Sequence, residues 1–99
     1  MGIDGERYIS GDNMKSLLKF EADWCGPCQQ LKPIVKQHIS DHPDVVLDTV
    51  NVDDPQRADL VVEHGVRAIP TLVLLEDGEV KARHQSTLPA PQLDVFVSQ

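Results

Sequence analysis

Two cysteines separated by a glycine and a proline are the residues best suited to covalent chemistry in this chain. They lie within the run Trp24-Cys25-Gly26-Pro27-Cys28. The run from Leu17 to Ala22 alternates like a strand, and residues at helical spacing follow the cysteines, so the pair is predicted at a strand-to-helix junction. Unpaired N–H groups and the positive dipole end at a helix N-terminus favour a thiolate over a thiol. Cys25 is therefore predicted to be an acidic, exposed nucleophile.

Cys28 is predicted to be the shielded partner thiol. Leu31 and Val35 follow it at spacings that place all three side chains on one helix face, which the apolar character of this face predicts to be buried. Two intervening residues bring Cys28 within one turn of the first cysteine, where a disulfide can form without large strain. Gly26 and Pro27 close that turn, and Pro27 is tolerated because first-turn N–H groups have no helical partner to lose.

Composition limits the partners of the chain. Its 99 residues suit a single domain, 1–99, and nine Lys and Arg against sixteen Asp and Glu give a net charge of −7. Such a surface repels polyanions, so nucleic acid is not expected as a ligand. No apolar run approaches the roughly eighteen residues of a membrane span, and the first seven residues do not resemble a signal peptide. We expect a cytoplasmic protein without a membrane partner, in which a disulfide is transient and catalytic.

The hydrophobic pattern predicts an α/β fold in which strands alternate with helices. Val45–Val52 is rich in β-branched residues and is predicted to be a central parallel strand covered on both faces. A mixed sheet with helices on both faces follows from a parallel crossover and a later hairpin. A weak strand is predicted at Tyr8-Ile9, and a helix is predicted from the cysteines to about Ser40–Pro43. A short helix follows Asp54-Pro55 and ends at Gly65, and its inward-facing residues are Ala58, Val61 and Val62. Thr71–Leu75 and Glu79–Arg83 form a predicted hairpin around Asp77-Gly78, and a terminal helix carries Leu93, Phe96 and Val97.

Four motifs in order resemble the thioredoxin family over essentially the whole chain. They are Ala22–Cys28 with Pro33 beyond it, Asn51-Val52-Asp53, Ile69-Pro70-Thr71, and Asp77–Val80. The resemblance implies a thioredoxin fold with a mixed sheet of four to five strands flanked by helices. The first helix is expected to be shortened or missing, because Ser10–Lys15 is too short for it.

The resemblance also implies an activity, that of a protein disulfide reductase working by dithiol–disulfide exchange through Cys25 and Cys28. Pro70 would follow a cis bond and lie against the cysteines, while Ile69 would offer its backbone to a substrate strand and Trp24 would form part of the contact surface. No metal or organic cofactor is expected beyond the redox-active disulfide. The implied partners are disulfide-containing proteins and a thioredoxin reductase as electron donor, and the chain is expected to be a monomer. A redox-indifferent binding subunit and a more oxidising thiol–disulfide oxidase are the alternative functions.

Lys19 departs from the family pattern, which normally has a buried aspartate there, paired with a lysine at the position of Thr49. A buried cation would stabilise a thiolate at Cys28 and make the couple more oxidising, whereas an unprotonated Lys19 could act as a base. Alternatively, its ammonium reaches solvent and has no special role. Glu21, where the family often has an aromatic residue, and Ser86-Thr87, in place of a usual Gly-Ala pair, are expected to affect substrate range.

A zinc site is the alternative interpretation of the cysteine pair. Cys25 and Cys28 with His38 and His42 give a C-x2-C and H-x3-H pattern. The gap of nine residues is shorter than the usual gap of about twelve, and a continuous helix would place the histidines roughly 15 Å from the cysteines. The sequence therefore predicts no metal site, and it places the four histidines at exposed positions or helix ends without a ligand role.

Overall fold

The computed structural model describes residues Met14–Gln99, which form a four-stranded mixed sheet with three α-helices. The strand predicted at Tyr8-Ile9 and the shortened first helix fall outside the described residues. The elements in chain order are β1 (Lys15–Glu21), α1 (Gly26–Asp41), β2 (Val45–Asn51), α2 (Ala58–Glu63), β3 (Thr71–Glu76), β4 (Glu79–Gln85) and α3 (Ala90–Val97), with a 3-10 turn at Pro55–Arg57. In residues 14–99, no helix is both long and apolar enough to span a bilayer.

β1 is one of the two inner strands of the described sheet, whose order is β2-β1-β3-β4. It pairs in parallel with β2 through the α1 crossover and antiparallel with β3. Lys19 is thus flanked by Thr49 on β2 and Leu72 on β3. The chain leaves β1 directly beneath the N-terminus of α1, which is where the two cysteines lie.

The core lies on both faces of the sheet, because alternate residues of β1 and β3 point to opposite sides. Helices α1 and α3 cover one face, and α2 covers the other. The residues of the first layer are Leu17, Leu31, Val35, Leu72, Leu74, Leu93, Phe96 and Val97, and those of the second are Leu18, Phe20, Val50 and Val73 with Leu60 and Val61. The predicted α/β fold with helices on both faces is confirmed.

Two predictions about packing are wrong. β2 is parallel to β1 as predicted, but it is not covered on both faces along its length, since Val46 is 52% exposed. Val62 is 80% exposed rather than inward-facing, and Ala58 is exposed too. α2 packs Leu60 and Val61 against the core, so the inward position predicted for Val61 is correct and those of Ala58 and Val62 are not.

The hairpin is formed as its turn residues predict. Asp77 and Gly78 both adopt positive φ, 54° and 86°, as the central residues of a tight turn matched to strand twist. Gly65 has a φ of 58° just after α2, so it ends this helix in a left-handed conformation, as predicted. α3 buries Leu93, Phe96 and Val97 as predicted.

Candidate active site

The first turn of α1 holds both cysteines. Cys25 is the N-cap residue with extended backbone, and its Sγ accepts a hydrogen bond of 3.2 Å from the N–H of Cys28. The first turn contains no acidic side chain, so nothing within it offsets the positive end of the helix dipole. Pro27 lies in this turn, where no helical hydrogen bond is lost. The local sequence thus creates an environment that stabilises negative charge on the Cys25 sulfur.

The cysteines form a disulfide, with their Cα atoms 5.2 Å apart. Cys28 is fully buried, as its spacing with Leu31 and Val35 predicts. Cys25 is only 5% exposed, so the prediction of an exposed sulfur is wrong for this oxidised form. The reason is the bond itself, which holds the sulfur over the first turn in a small apolar cluster with Ala22, Val52 and Ile69.

Trp24 lies beside the disulfide and is 70% exposed. Its Nε1–H donates a 2.8 Å hydrogen bond to Oδ2 of Asp53, which follows β2. This bond holds the indole against the loop that ends the neighbouring strand. The sequence motif contained Asp53, but nothing in its spacing linked it to Trp24.

The Ile69–Pro70 bond is cis, as the resemblance implies. Ile69 packs against the cysteine cluster, while Pro70 is buried and its carbonyl accepts a 2.9 Å hydrogen bond from the N–H of Ser86. Trp24 and Ile69 line a shallow cleft of about 150 Å³ together with Val52, Val61, Val66, Arg67 and Ala68. An added Cβ at Gly26 would meet no atom within 4 Å, so that side of the disulfide is open to an approaching chain.

Lys19 is buried on the face of β1 that α1 covers and does not reach solvent, which excludes the interpretation of an ammonium at the surface. It is 2% exposed, and its ammonium donates a hydrogen bond to the carboxylate of Glu21, itself buried. The departure of Glu21 from the family pattern predicted an effect on substrate range and not this ion pair. The position of Glu21 two residues along the same strand, and hence on the same face, is the signal that could have found it.

Two histidines are buried at helix ends. His38 lies in the last turn of α1 and His64 directly follows α2, and a helix end is one of the two placements predicted for the histidines. His38 lies most of the length of α1 away from Cys28, so these side chains lie apart from the cysteine pair. The C-x2-C and H-x3-H pattern therefore does not form one cluster.

Comparison with known proteins agrees with this geometry. The Thioredoxin family model matches residues 6–99. Thioredoxin from Haemophilus influenzae is 36% identical over 97 residues, covering 97% of this chain and 89% of the relative. Thioredoxin from Pseudomonas aeruginosa is 35% identical, covering 82% and 74% of the two chains.

Solved structures show the same likeness in three dimensions. The oxidised mitochondrial thioredoxin 3 of Saccharomyces cerevisiae gives a TM-score of 0.77 at 31% identity, covering 88% of this chain and 80% of that one. A mutant thioredoxin from Halobacterium salinarum gives 0.75 at 38% identity, covering 87% and 74%. With the cysteine pair, the cis-proline and the sheet order all in place, this chain belongs to the thioredoxin family.

Proposed function

We propose that Cys25 is the nucleophile and Cys28 the resolving thiol of this thiol–disulfide oxidoreductase, a protein disulfide reductase of the thioredoxin family. The observation that carries this assignment is the asymmetry of the pair. Cys25 caps α1 and accepts the N–H of Cys28, while Cys28 is fully enclosed. The sulfur that the helix N-terminus stabilises as a thiolate is thus also the one nearer to solvent.

The reaction transfers two electrons from the reduced pair to a substrate disulfide. The Cys25 thiolate attacks one substrate sulfur, and the other leaves as a thiolate that takes up a proton. Cys28 loses its proton and attacks the Cys25 sulfur of the mixed disulfide, which releases the second substrate thiolate. The substrate is now a dithiol, and the chain carries the Cys25–Cys28 disulfide.

The substrate segment would lie across the cleft between Trp24 and Ile69. Pro70 has no N–H, so it offers no donor that competes with the backbone of Ile69 for an extended substrate strand. Gly26 leaves the near side open, and the exposed indole of Trp24 supplies apolar contact area. These residues would bind the segment around a disulfide rather than take part in bond breaking.

The chemistry needs no organic cofactor or metal, since the cysteine pair itself stores the electrons. Electron transport would run from a thioredoxin reductase through a monomer of this chain to disulfide-containing proteins, in support of cell redox homeostasis. We place this activity in the cytoplasm. The net charge of −7 supports protein rather than nucleic-acid partners.

Single serine substitutions test the assignment through insulin reduction by dithiothreitol. Both Cys25→Ser and Cys28→Ser should abolish turnover, but only Cys28→Ser should accumulate a mixed disulfide with a substrate, detected by mass spectrometry. A mixed disulfide formed through Cys28 in the Cys25→Ser variant would show instead that Cys28 is the nucleophile and Cys25 the resolving thiol. A biological role retained by Cys25→Ser would instead favour the redox-indifferent binding subunit, and a reduction potential well above that of a reductase would favour the oxidase.

A further inference from the structure

Two histidines and an aspartate meet at the end of α1 opposite the cysteines. His38 and His42 lie one helical turn apart, and Asp94 comes from α3. Each residue offers one ligand atom such that all three atoms lie within 4.8 Å of one another. Imidazole nitrogens and a carboxylate oxygen are typical ligands of Zn²⁺ and related divalent ions. The cluster therefore has the donor set of a metal site.

His38 has an unusual environment for a buried histidine. Its Nδ1 lies 2.7 Å from Oδ1 of Asp94, but its Nε2 is the one buried side-chain polar atom in residues 14–99 without a hydrogen-bond partner. A buried polar atom left unpaired costs free energy. The Nδ1 atom faces Asp94, so it is the ring nitrogen through which His38 can share a metal ion with that carboxylate.

The space for such an ion is present. A pocket of about 180 Å³ opens at the cluster and is also lined by Asp44 and Ser98, which add oxygen atoms. Lys15 is the cation among the lining residues, and its ammonium donates a 2.9 Å hydrogen bond to the carbonyl of Val97. Two carboxylates face one ammonium, in a chain of net charge −7, so the local charge favours a cation.

His42 must turn for the three ligands to converge. In the structure its ring stacks on that of His38 with centroids 4.1 Å apart, and its Nδ1 lies 3.0 Å from the His38 carbonyl oxygen. His42 is the C-cap residue, so its side chain can rotate without loss of a helical backbone hydrogen bond. The metal would replace the His38–Asp94 hydrogen bond with coordinate bonds, and each neutral imidazole would keep its proton on the other ring nitrogen.

We propose that His38, His42 and Asp94 bind a divalent transition-metal ion that links the end of α1 to α3. The ion would stabilise the fold by holding the terminal helix in place. Because the site lies roughly 15 Å along α1 from Cys28, it should leave disulfide exchange unchanged. This proposal does not depend on the redox assignment.

Zinc chloride is the probe, and oxidised protein is the sample, because bonded cysteines cannot ligate the metal. Titration calorimetry should show one site. With Zn²⁺ about 100-fold above the dissociation constant, the melting temperature should rise by about 5 °C or more. His42→Ala and Asp94→Asn should each weaken zinc binding at least about tenfold and remove most of that rise. Asp94→Asn keeps the size of the side chain and a hydrogen-bond acceptor for His38, so it tests ligation rather than packing.

Matched controls are His84→Ala and Asp59→Asn, which remove a histidine and a carboxylate away from the cluster and should leave zinc affinity unchanged. Co²⁺ should give a visible spectrum without a thiolate charge-transfer band. No zinc binding by the oxidised protein would overturn the proposal. Binding that persists unchanged in both His42→Ala and Asp94→Asn would overturn it as well.

Discussion

The Lys19 ammonium donates a hydrogen bond to the Glu21 carboxylate, and both side chains are buried on the face of β1 that α1 covers. The two residues are neighbours on one strand face because they are two positions apart. They border a cavity of about 340 Å³ that is also lined by Val35, Ile39, Leu47 and Thr49 and by the lysines Lys32 and Lys36 of α1. The charged pair thus lies between β1 and α1, just before the chain turns into the redox site.

The two charges of this pair should have opposite effects on the reduction potential. Lys19→Met leaves the Glu21 carboxylate alone, which disfavours a thiolate and stabilises the disulfide, so the potential should fall. Glu21→Gln leaves the ammonium alone, which favours the thiolate, so the potential should rise. Each change should be on the order of 10–30 mV, since 1.4 kcal/mol corresponds to about 30 mV.

Equilibration with a glutathione redox buffer measures both potentials. Lys19→Asp, which reverses the charge, should lower the potential further than Lys19→Met. Glu63→Gln is the control, because it neutralises an exposed carboxylate on α2. Potentials that move in the same direction in Lys19→Met and Glu21→Gln would show that the pair does not act through its charge.

Stability should respond to the same pair in a different pattern. Lys19→Met or Glu21→Met alone leaves one buried charge without its partner, and the free energy of unfolding should fall by about 3–5 kcal/mol. The double variant Lys19→Met with Glu21→Met removes both charges and fills the space with apolar atoms, so it should recover most of that loss. Urea denaturation of the four proteins gives the coupling energy, and additive losses would contradict the interaction.

The indole of Trp24 should become mobile when its acceptor is removed. Asp53→Ala deletes the carboxylate that accepts the Nε1–H, and the side chain of Trp24 then loses its fixed position at the cleft. The expected result is a higher KM for insulin with kcat little changed, because Trp24 contributes contact area and not bond chemistry. Trp24 is the only tryptophan of the chain, so its fluorescence anisotropy reports the loss directly.

The control for Asp53→Ala is Asp59→Ala, which removes an exposed carboxylate from α2. Asp54→Ala is not suitable, because the Asp54 side chain caps the 3-10 turn. Asp59→Ala should leave KM and anisotropy unchanged. An Asp53→Ala protein with unaltered anisotropy would show that the hydrogen bond does not position the ring.

The sequence was most informative where local chemistry determines structure. Asp77-Gly78 predicted the hairpin because few other residues adopt positive φ at both turn positions, and the spacing of Cys28 with Leu31 and Val35 predicted which cysteine is buried. Both inferences depend on residues within a turn or two of each other. The fold class followed from such local elements and from the handedness of the crossover.

Features that depend on distant packing were missed. The burial of Lys19 depends on α1, which covers that face of β1, and the exposure of Val62 depends on which face α2 packs against the sheet. The contact between His38 and Asp94 joins residues that are 56 positions apart. Side chains of this kind can be placed only once the elements are packed.

Ser86 holds a backbone conformation that a glycine would adopt at lower cost. Its φ is 87°, and its N–H donates to the carbonyl of Pro70, which fixes the residue in place. A non-glycine residue in this region is strained, so Ser86→Gly should stabilise the protein by about 1 kcal/mol, a rise in melting temperature of about 4–8 °C.

Asp77→Gly is the matched control, because Asp77 also has positive φ, 54°, but its carboxylate accepts a 3.0 Å hydrogen bond from the N–H of Met14. Aspartate tolerates this conformation better than serine, and the lost bond offsets the relieved strain, so Asp77→Gly should be neutral or destabilising. Calorimetry of both variants makes the comparison. If both variants were stabilised equally, relief of φ strain alone would decide the outcome. If Ser86→Gly were destabilising, the weak 3.3 Å contact between the Ser86 hydroxyl and the Thr87 carbonyl would outweigh that strain.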